Sequence, residues 1–478
     1  MDLIHPGKLI FEGYSYTIHK KCSNKIRWRC SKYSSFKCRA ILFSTLDNQD
    51  PVLDTAHNHP SNIDGLVAMK SIANMKKRCA DSLAKPLQIY AEEIVKLDQK
   101  VQSHMLSEDS IKRTLRNHKA MQHPSNLENL EDLVIEGDWA NCGSQNSKRF
   151  LLFDNGPQAE ERIIMFATDD SLNLISNRTE WYMDGNFAMS PKNFLQLYVI
   201  RVAINNIFIT AVYCVLQKKT QSTYEIIFQT IMSKCQERDL FPDPLYIYMD
   251  FEKSAMTAVK SIIGDHIVIR GCFYHLCQST HRKIQKLGLE SEYRTDETLS
   301  FFCGMMDGLA FVPLCDMDNA MTFLRSVTPS NGKDILDYFD KNYVNGVSRN
   351  VMRSNSQSQT RRIEPRFPPE TWNVNQSTLS DEERTNNQCE GWNHRFSNLV
   401  GNKHPSIWVL IKKMKCEVAA DETKLERWRV GSWTSKTKSQ SSNNQIRLKK
   451  LCEEYRDGVR SLPDFIRAIS FNIRCQPI

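Results

Sequence analysis

Apolar residues in the first 62 positions come in short runs separated by polar turns. Tyr14–Ile18, Ile26–Arg29, Arg39–Phe43 and Val52–Asp54 read as strands, with Asp47-Asn48-Gln49-Asp50-Pro51 as a turn. Residues 63–120 read as helical. Met69 to Leu83 is followed by Pro86, Gln88–Val101 carries Ile89, Ile94 and Leu97, and Ser110–His118 is short and basic. These helices could be a helix-turn-helix reader or a packing arm, and the arm is the preferred reading. Between 150 and 290 the runs lengthen. Glu180–Asp184 is one strand, and Leu195–Val202 and Ile207–Leu216 are nearly continuous apolar runs joined through Asn205-Asn206. Ser222-Thr223-Tyr224-Glu225 reads as a capping box opening a helix with Tyr224, Ile227, Phe228 and Ile231 on one face. Strand Leu245–Met249, helix Glu252–Ile263 and strand Ile267–Arg270 follow.

From there the pattern is helical over Glu297–Leu309, Met317–Val327 and Lys333–Tyr343. Residues 353–385 read as irregular, helix resumes near Asn387 and from Pro405 to about Arg429, and 434–445 reads as a linker. The order β-β-β-α-β-α-β over 180–270 matches a ribonuclease H-like sheet, three antiparallel strands and then parallel ones on α crossovers. The expected fold class is therefore α/β. It is a ribonuclease H-like core with a helical insertion, preceded by a small β-rich zinc-binding module. The expected divisions are 1–62 (zinc module), 63–149 (helical linker or arm), 150–290 (core), 291–385 (insertion and loop), 386–430 (helices closing the core) and 431–478 (basic tail and helix).

Composition narrows the function class. A chain of 478 residues can hold two or three domains. It has no apolar run near the 18 residues that a membrane span needs, and its charged start (Asp2, Lys8, Glu12) argues against export. Fifteen scattered cysteines, an odd number, favour reduced thiols plus a metal site over disulfides. Residues 401–450 hold 12 Lys and Arg against 4 Asp and Glu, an excess equal to the +8 of the whole chain. That segment is either a solvated helix face or a footprint for a phosphate backbone.

Two sets of residues carry chemistry. Cys30, Cys38, His57 and His59 offer two thiolates and two imidazoles, a tetrahedral structural zinc set in a module with little apolar mass of its own. Cys22 reads as a packed thiol. Asp184 and Asp250 close apolar strands of one predicted sheet, and Glu390 lies in the polar run Arg384–Asn393 that opens a helix. Singly each acid is as well explained by a turn or a helix terminus; together, strand, strand, then helix, they suit two bridged divalent ions. Cys272 and His275 follow the last strand and could contact metal or DNA, though a structural pair is preferred. Cys277 and His281 leave a second zinc open.

Phe11, Tyr14, Tyr16, Trp28 and the Cys30, Cys38, His57, His59 set resemble the FLYWCH-type zinc finger, which implies a zinc-bound module for DNA or protein contact. Asp184-Gly185, Asp250-Phe251-Glu252, Cys272-x-x-His275, Phe367-Pro368-Pro369, Trp372-Asn373 and Arg384-Thr385-Asn386-Asn387 leading to Glu390 and Trp392 resemble the Mutator-like (MULE) DDE transposases. That resemblance implies metal-dependent cleavage and strand transfer on double-stranded DNA, with Asp184, Asp250 and Glu390 holding two Mg2+ or Mn2+ ions, and nuclear placement. Homo-oligomerisation on DNA fits the same picture. Lys412, Lys413, Lys415, Arg427 and Arg429 are the expected backbone contacts. No C-terminal SWIM-type zinc module is read, since Cys416, Cys452 and Cys475 lack matching histidines. The alternative is a domesticated, catalytically inactive DNA-binding or protein-interaction regulator.

Overall fold

The computed structural model describes residues 2–5, 7–81, 84–121, 124, 129–205, 207–352, 358–432 and 439–474, so Leu83, Asn206 and Cys475 lie outside the described residues. The chain divides into two compact units, Met1–Asn126 and Leu127–Ile478.

In the first unit, β1 (Asp2–His5), β2 (Lys8–Phe11), β3 (Tyr14–Lys21), β4 (Ile26–Cys30), β5 (Ile41–Ser44) and β6 (Val52–Leu53) form an antiparallel meander in chain order. The sequence reading lacked β1 and β2, whose few apolar residues leave a weak signal. In β4 the alternation works as the pleat demands: Ile26, Trp28 and Cys30 are buried and the two arginines between them are not. Trp28 packs with Leu9, Tyr16 and Leu42, and its indole N–H donates to Ser44 Oγ at 2.9 Å. A turn of helix, α1 (Tyr33–Phe36), then leads to Lys37 in the left-handed region (φ 51°).

Helices α2 (Ile63–Asp81), α3 (Pro86–Ile94), α4 (Gln99–Gln102) and α5 (Glu108–Ala120) complete the unit around Met75, Cys79, Ile89, Ile111 and Leu115. The single helix expected over 88–101 is two. Asp98 is extended at the start of α4, and the Gln102 amide reaches back to the carbonyls of Ile94 and Leu97 across the break.

In the second unit a two-residue ladder, β7 (Asn141–Cys142) with β8 (Lys148–Arg149), leads into β9 (Leu151–Asp154) and β10 (Ile163–Phe166). Then come α6 (Asp169–Ser176), β11 (Glu180–Asn186), β12 (Gln196–Ile204), β13 (Ile207–Leu216), α7 (Gln221–Gln236), β14 (Tyr246–Met249), α8 (Lys253–Ile262), β15 (Val268–Gly271) and α9 (Phe273–Lys286), followed by the helices α10 (Glu290–Thr295), α11 (Glu297–Gly308), α12 (Met317–Ser326) and α13 (Lys333–Phe339). The seven-stranded sheet runs β15-β14-β11-β12-β13-β10-β9. Its β11–β14 and β14–β15 pairs are parallel and the rest antiparallel. The strands read as continuous apolar runs because both faces are covered. One face packs Tyr224, Ile227, Phe228 and Ile231 of α7. The other packs Trp392 and Phe396 of α16 (Asn387–Val400) and Trp408, Leu410, Ile411 and Met414 of α17 (Ile407–Arg429).

Three local readings are corrected. The α7 N-cap is Thr220, reciprocally bonded with Thr223, so the helix starts before the expected box. The stretch 353–385, expected to be irregular, is regular in part among its described residues. Strands β16 (Val347–Met352) and β17 (Ser358–Ile363) make a hairpin, and α14 (Pro369–Trp372) and α15 (Asn375–Leu379) follow. There the buried Trp372 donates to the carbonyls of Tyr343 and Phe367 at 3.0 and 3.2 Å. The expected linker at 434–445 runs into α18 (Ser439–Arg456), a polar segment made helical by packing of Leu448 and Cys452 into the core.

Candidate metal centre and catalytic cleft

In the first unit, Cys30 at the end of β4, Cys38 after Lys37, and His57 and His59 after β6 bring four ligand atoms within 4.8 Å of one another. Cys30 Sγ is 3.3 Å from His59 Nε2, and Cys38 Sγ is 3.4 Å from His57 Nδ1. Each imidazole holds its other nitrogen in a hydrogen bond. His57 Nε2 meets the Tyr16 hydroxyl at 2.7 Å, and His59 Nδ1 meets the Pro60 carbonyl at 2.9 Å. Such outer bonds fix ring orientation and the nitrogen left for a metal. The Tyr14 ring stacks on His57 at 3.6 Å. Burial, then His59, lower the His57 pKa to about 4, so its lone pair is free at neutral pH. Burial pushes the Cys30 thiol up to about 11, with Cys38 adding to it against the Lys32 N–H. Two thiols packed together favour the neutral form until a cation joins them. The donor set, two sulfurs and two nitrogens, fits a structural zinc.

In the second unit the parallel register pairs Tyr182 with Tyr248, so Asp184 in β11 and Asp250 just past β14 emerge at the same sheet edge. Asp184 is 5% exposed; Gly185 N donates to its Oδ1 at 2.8 Å and Asn393 Nδ2 to its Oδ2 at 2.6 Å. A Cβ at Gly185 would lie 2.6 Å from Gln196 Oε1, so a larger residue there would have to displace the Gln196 amide. Glu390 enters from the first turn of α16. His275 of α9 stands between the acids: its Nδ1 is 2.6 Å from Asp250 Oδ1 and 3.9 Å from Glu390 Oε1, so those two oxygens are at most 6.5 Å apart, the sum of the two distances. Ligand atoms of Asp184, Asp250 and His275 fall within 4.8 Å of one another, as do those of Cys272, His275 and Glu390.

The electrostatics are those of crowded acids. Burial pushes Asp184 up to about 7, with Asp250 and Glu390 adding to it and His275 and the Gly185 N–H opposing. Burial also raises Glu390, against the pull of His275 and Cys272. For His275, burial disfavours the imidazolium, but Asp250 and Cys272 outweigh it and raise the pKa to about 11. Asp250 Oδ1 and His275 Nδ1 are both buried and neither has a properly directed hydrogen bond despite the 2.6 Å approach. Their attraction is that of adjacent charges. Orphaned buried ligand atoms beside carboxylates that burial raises fit a divalent cation, which would favour the ionised carboxylates.

The cleft has a volume of about 660 Å3. Exposed Lys219, Lys253, Arg282 and Arg366 line it, none of them singled out from the sequence. Asn386 and Asn393, which anchor α16, were read only as parts of the polar run Arg384–Asn393, with no role of their own. Asn386 Nδ2 donates to the Met183 carbonyl at 2.8 Å and its N–H to Cys272 Sγ at 3.1 Å, while Asn393 accepts from Asn186 at 3.0 Å and clasps Asp184. Their seven-residue spacing, two helical turns, was the available signal.

The expected backbone contacts fare unevenly. Lys413 is buried and donates to the Leu399 carbonyl at 2.6 Å, so it is withdrawn as a phosphate contact: its methylenes and ammonium pack inside the α16–α17 layer. Lys415 reaches the Asp138 carbonyl beside the Trp139 ring. Lys412 is half-buried, and Arg427 and Arg429 are exposed at the end of α17, Arg429 paired with Glu426. His281 sits 3.1 Å from Glu290, and among the described residues it joins no metal-binding group with Cys277.

Residues 6–59 match the FLYWCH zinc finger domain, and residues 180–279 match the MULE transposase domain. The first match holds all four finger ligands; the second holds Asp184, Asp250, Cys272 and His275, with Glu390 beyond its end. No curated protein matches the chain. The chain is therefore transposase-like and DNA-binding in its domain content. Among the described residues no helix is long and apolar enough to cross a membrane.

Proposed function

We propose that the second unit is a ribonuclease H-like core that cleaves and joins DNA phosphodiesters, with Asp184, Asp250 and Glu390 as the ligands of divalent Mg2+ or Mn2+, and that it works in the nucleus on duplex DNA. The observation that carries this reading is the meeting of three acids, remote in sequence, in one cleft at the ends of β11 and β14. The sheet order supports it: three antiparallel strands, β11 to β13, with β14 and β15 added in parallel on the other side of β11.

Divalent ions bound there would act as Lewis acids on the scissile phosphate and lower the pKa of the attacking hydroxyl. The chain's own part is placement. The Gly185 N–H and the Asn393 amide hold Asp184 in one rotamer, and Asn386 fixes the start of α16 so that Glu390 faces the two aspartates. Lys219, Lys253, Arg282 and Arg366 give the mouth of the cleft a positive rim that holds the phosphodiester backbone by charge.

The test is strand nicking with Mg2+ or Mn2+ on duplexes taken from the DNA flanking the protein's own coding sequence. Asp184→Asn, Asp250→Asn and Glu390→Gln should each lower it about a thousandfold or more, and double variants should be little worse, because ligands of one centre act as a unit. Nicking that survives all three substitutions would sink the assignment. A chain that binds such DNA but never nicks it would be the inactive regulator.

A further inference from the structure

The Glu390 side of the cleft differs from the Asp184 side in its donors. Facing Glu390 are a thiol, Cys272, and an imidazole, His275, three residues apart at the start of α9. Cys272 Sγ lies 3.7 Å from Glu390 Oε1, and His275 Nδ1 lies 3.9 Å from the same oxygen. Around a tetrahedral zinc, sulfur–oxygen and nitrogen–oxygen edges measure about 3.3–3.5 Å, from metal–ligand lengths near 2.0–2.3 Å. The finger of the same chain shows 3.3 and 3.4 Å between its own sulfurs and nitrogens. The trio's sulfur–oxygen and nitrogen–oxygen edges therefore need to close by roughly 0.2–0.6 Å, and the 2.6 Å edge from His275 to Asp250 needs to open by roughly 0.7–0.9 Å. The two sites share a further feature. A backbone N–H points at a ligand sulfur in each, Lys32 on Cys30 at 3.4 Å and Asn386 on Cys272 at 3.1 Å. Asp250 Oδ1, paired with His275 Nδ1 at 2.6 Å by charge and without a directed hydrogen bond, supplies a fourth donor at the same place.

We propose that Cys272, His275 and Glu390, completed by Asp250, form a second transition-metal site that takes Zn2+ or Co2+ in preference to Mg2+. The inference rests on the proposed function in treating Glu390 and Asp250 as ligands, and it names a transition metal as the cation that those two share with Cys272 and His275. Mg2+ demands near-octahedral oxygen and water ligands, whereas thiolate and imidazole select the borderline transition metals. The Asp184 side offers carboxylate oxygen and keeps the harder character. The site also ties α9 to α16, so a bound transition metal would hold Glu390 in place whether or not DNA is present.

The experiment is Co2+ loading of the full chain, followed by the sulfur-to-cobalt charge-transfer absorption and by metal content after gel filtration. The wild type should take up two thiol-bound equivalents, one at each site, and the second should persist in millimolar Mg2+. Cys272→Ser should lose the second equivalent, weakening it more than about tenfold, while retaining the first and the wild-type circular dichroism. Glu390→Gln should weaken the second equivalent while leaving its charge-transfer band in place, which a buried structural thiol would not do. One equivalent in the wild type, or a second that Mg2+ displaces, overturns the proposal. Loss of Mg2+-dependent nicking in Glu390→Gln would then still stand for the cleavage reading. A second Co2+ equivalent without any acid-dependent nicking would sink the cleavage reading and keep this one.

Discussion

Asp184 is a carboxylate that the metal-free fold tolerates at a cost. Its folded pKa, about 7, lies above the ordinary value near 3.9, so between those values the folded chain binds more protons than the unfolded one. Stability of the metal-free protein therefore falls as pH rises from about 4 to about 7 and stays lowered above that. Asp184→Asn removes the ionisation and keeps the shape. The melting temperature of the variant relative to wild type should be near parity at pH 4 and should climb to pH 7, by an amount worth up to about 4 kcal/mol. A difference flat with pH would mean that Asp184 carries no charge penalty. The same residue shows what was legible. The acids could be read because strand ends and a helix start are visible in apolar patterning. The Asn393 clasp could not, since a side-chain bond spanning 209 positions leaves no local trace.

Elements assign the basic residues, and here linear charge density is a poor guide. The excess over 401–450 drew attention to α17, yet that helix turns Lys413 into the protein and Lys415 onto a carbonyl. The cleft cations come from four separate places: before α7, at the start of α8, on α9 and after β17. Scattered in sequence, they are gathered only by the fold. Replacing Lys219 and Arg282 by alanine should weaken duplex binding across sequences and flatten the log–log salt slope by about two, one per lost phosphate contact. Replacing Lys413 should instead destabilise the fold by about 1–3 kcal/mol, because it removes a buried side chain and its hydrogen bond to the Leu399 carbonyl, and should leave the slope unchanged. A slope insensitive to the cleft pair would move the DNA elsewhere. The central strands and α17 were readable from their strong periodicity. Strands β9 and β10 and the hairpin β16–β17 were not, because sheet neighbours rather than their own sequence make them strands.

At the scale of the whole molecule, the two units have different means of staying folded. The second has large cores on both faces of its sheet; the first has small clusters around Trp28 in its sheet and Met75 among its helices, with the Cys–His set beside the sheet. Cys30→Ser should lose the finger's zinc and lower the melting transition of the first unit, while the second unit's transition stays put. Paired zinc analysis and calorimetry would read this, and an unshifted first transition would remove zinc from the finger's stability. The clasp from Asn393 to Asp184 also sets a clock on synthesis. At about 5–20 residues per second, roughly 10–40 s separate the emergence of Asp184 from that of Asn393. Strands β12 to β15 and Asp250 are made within that interval, and throughout it Asp184 lacks its clasp and α16 its anchor. A chain stopped before α16 therefore lacks both Glu390 and the clasp on Asp184, so the acid set of the proposed cleavage site is complete only once α16 has been made.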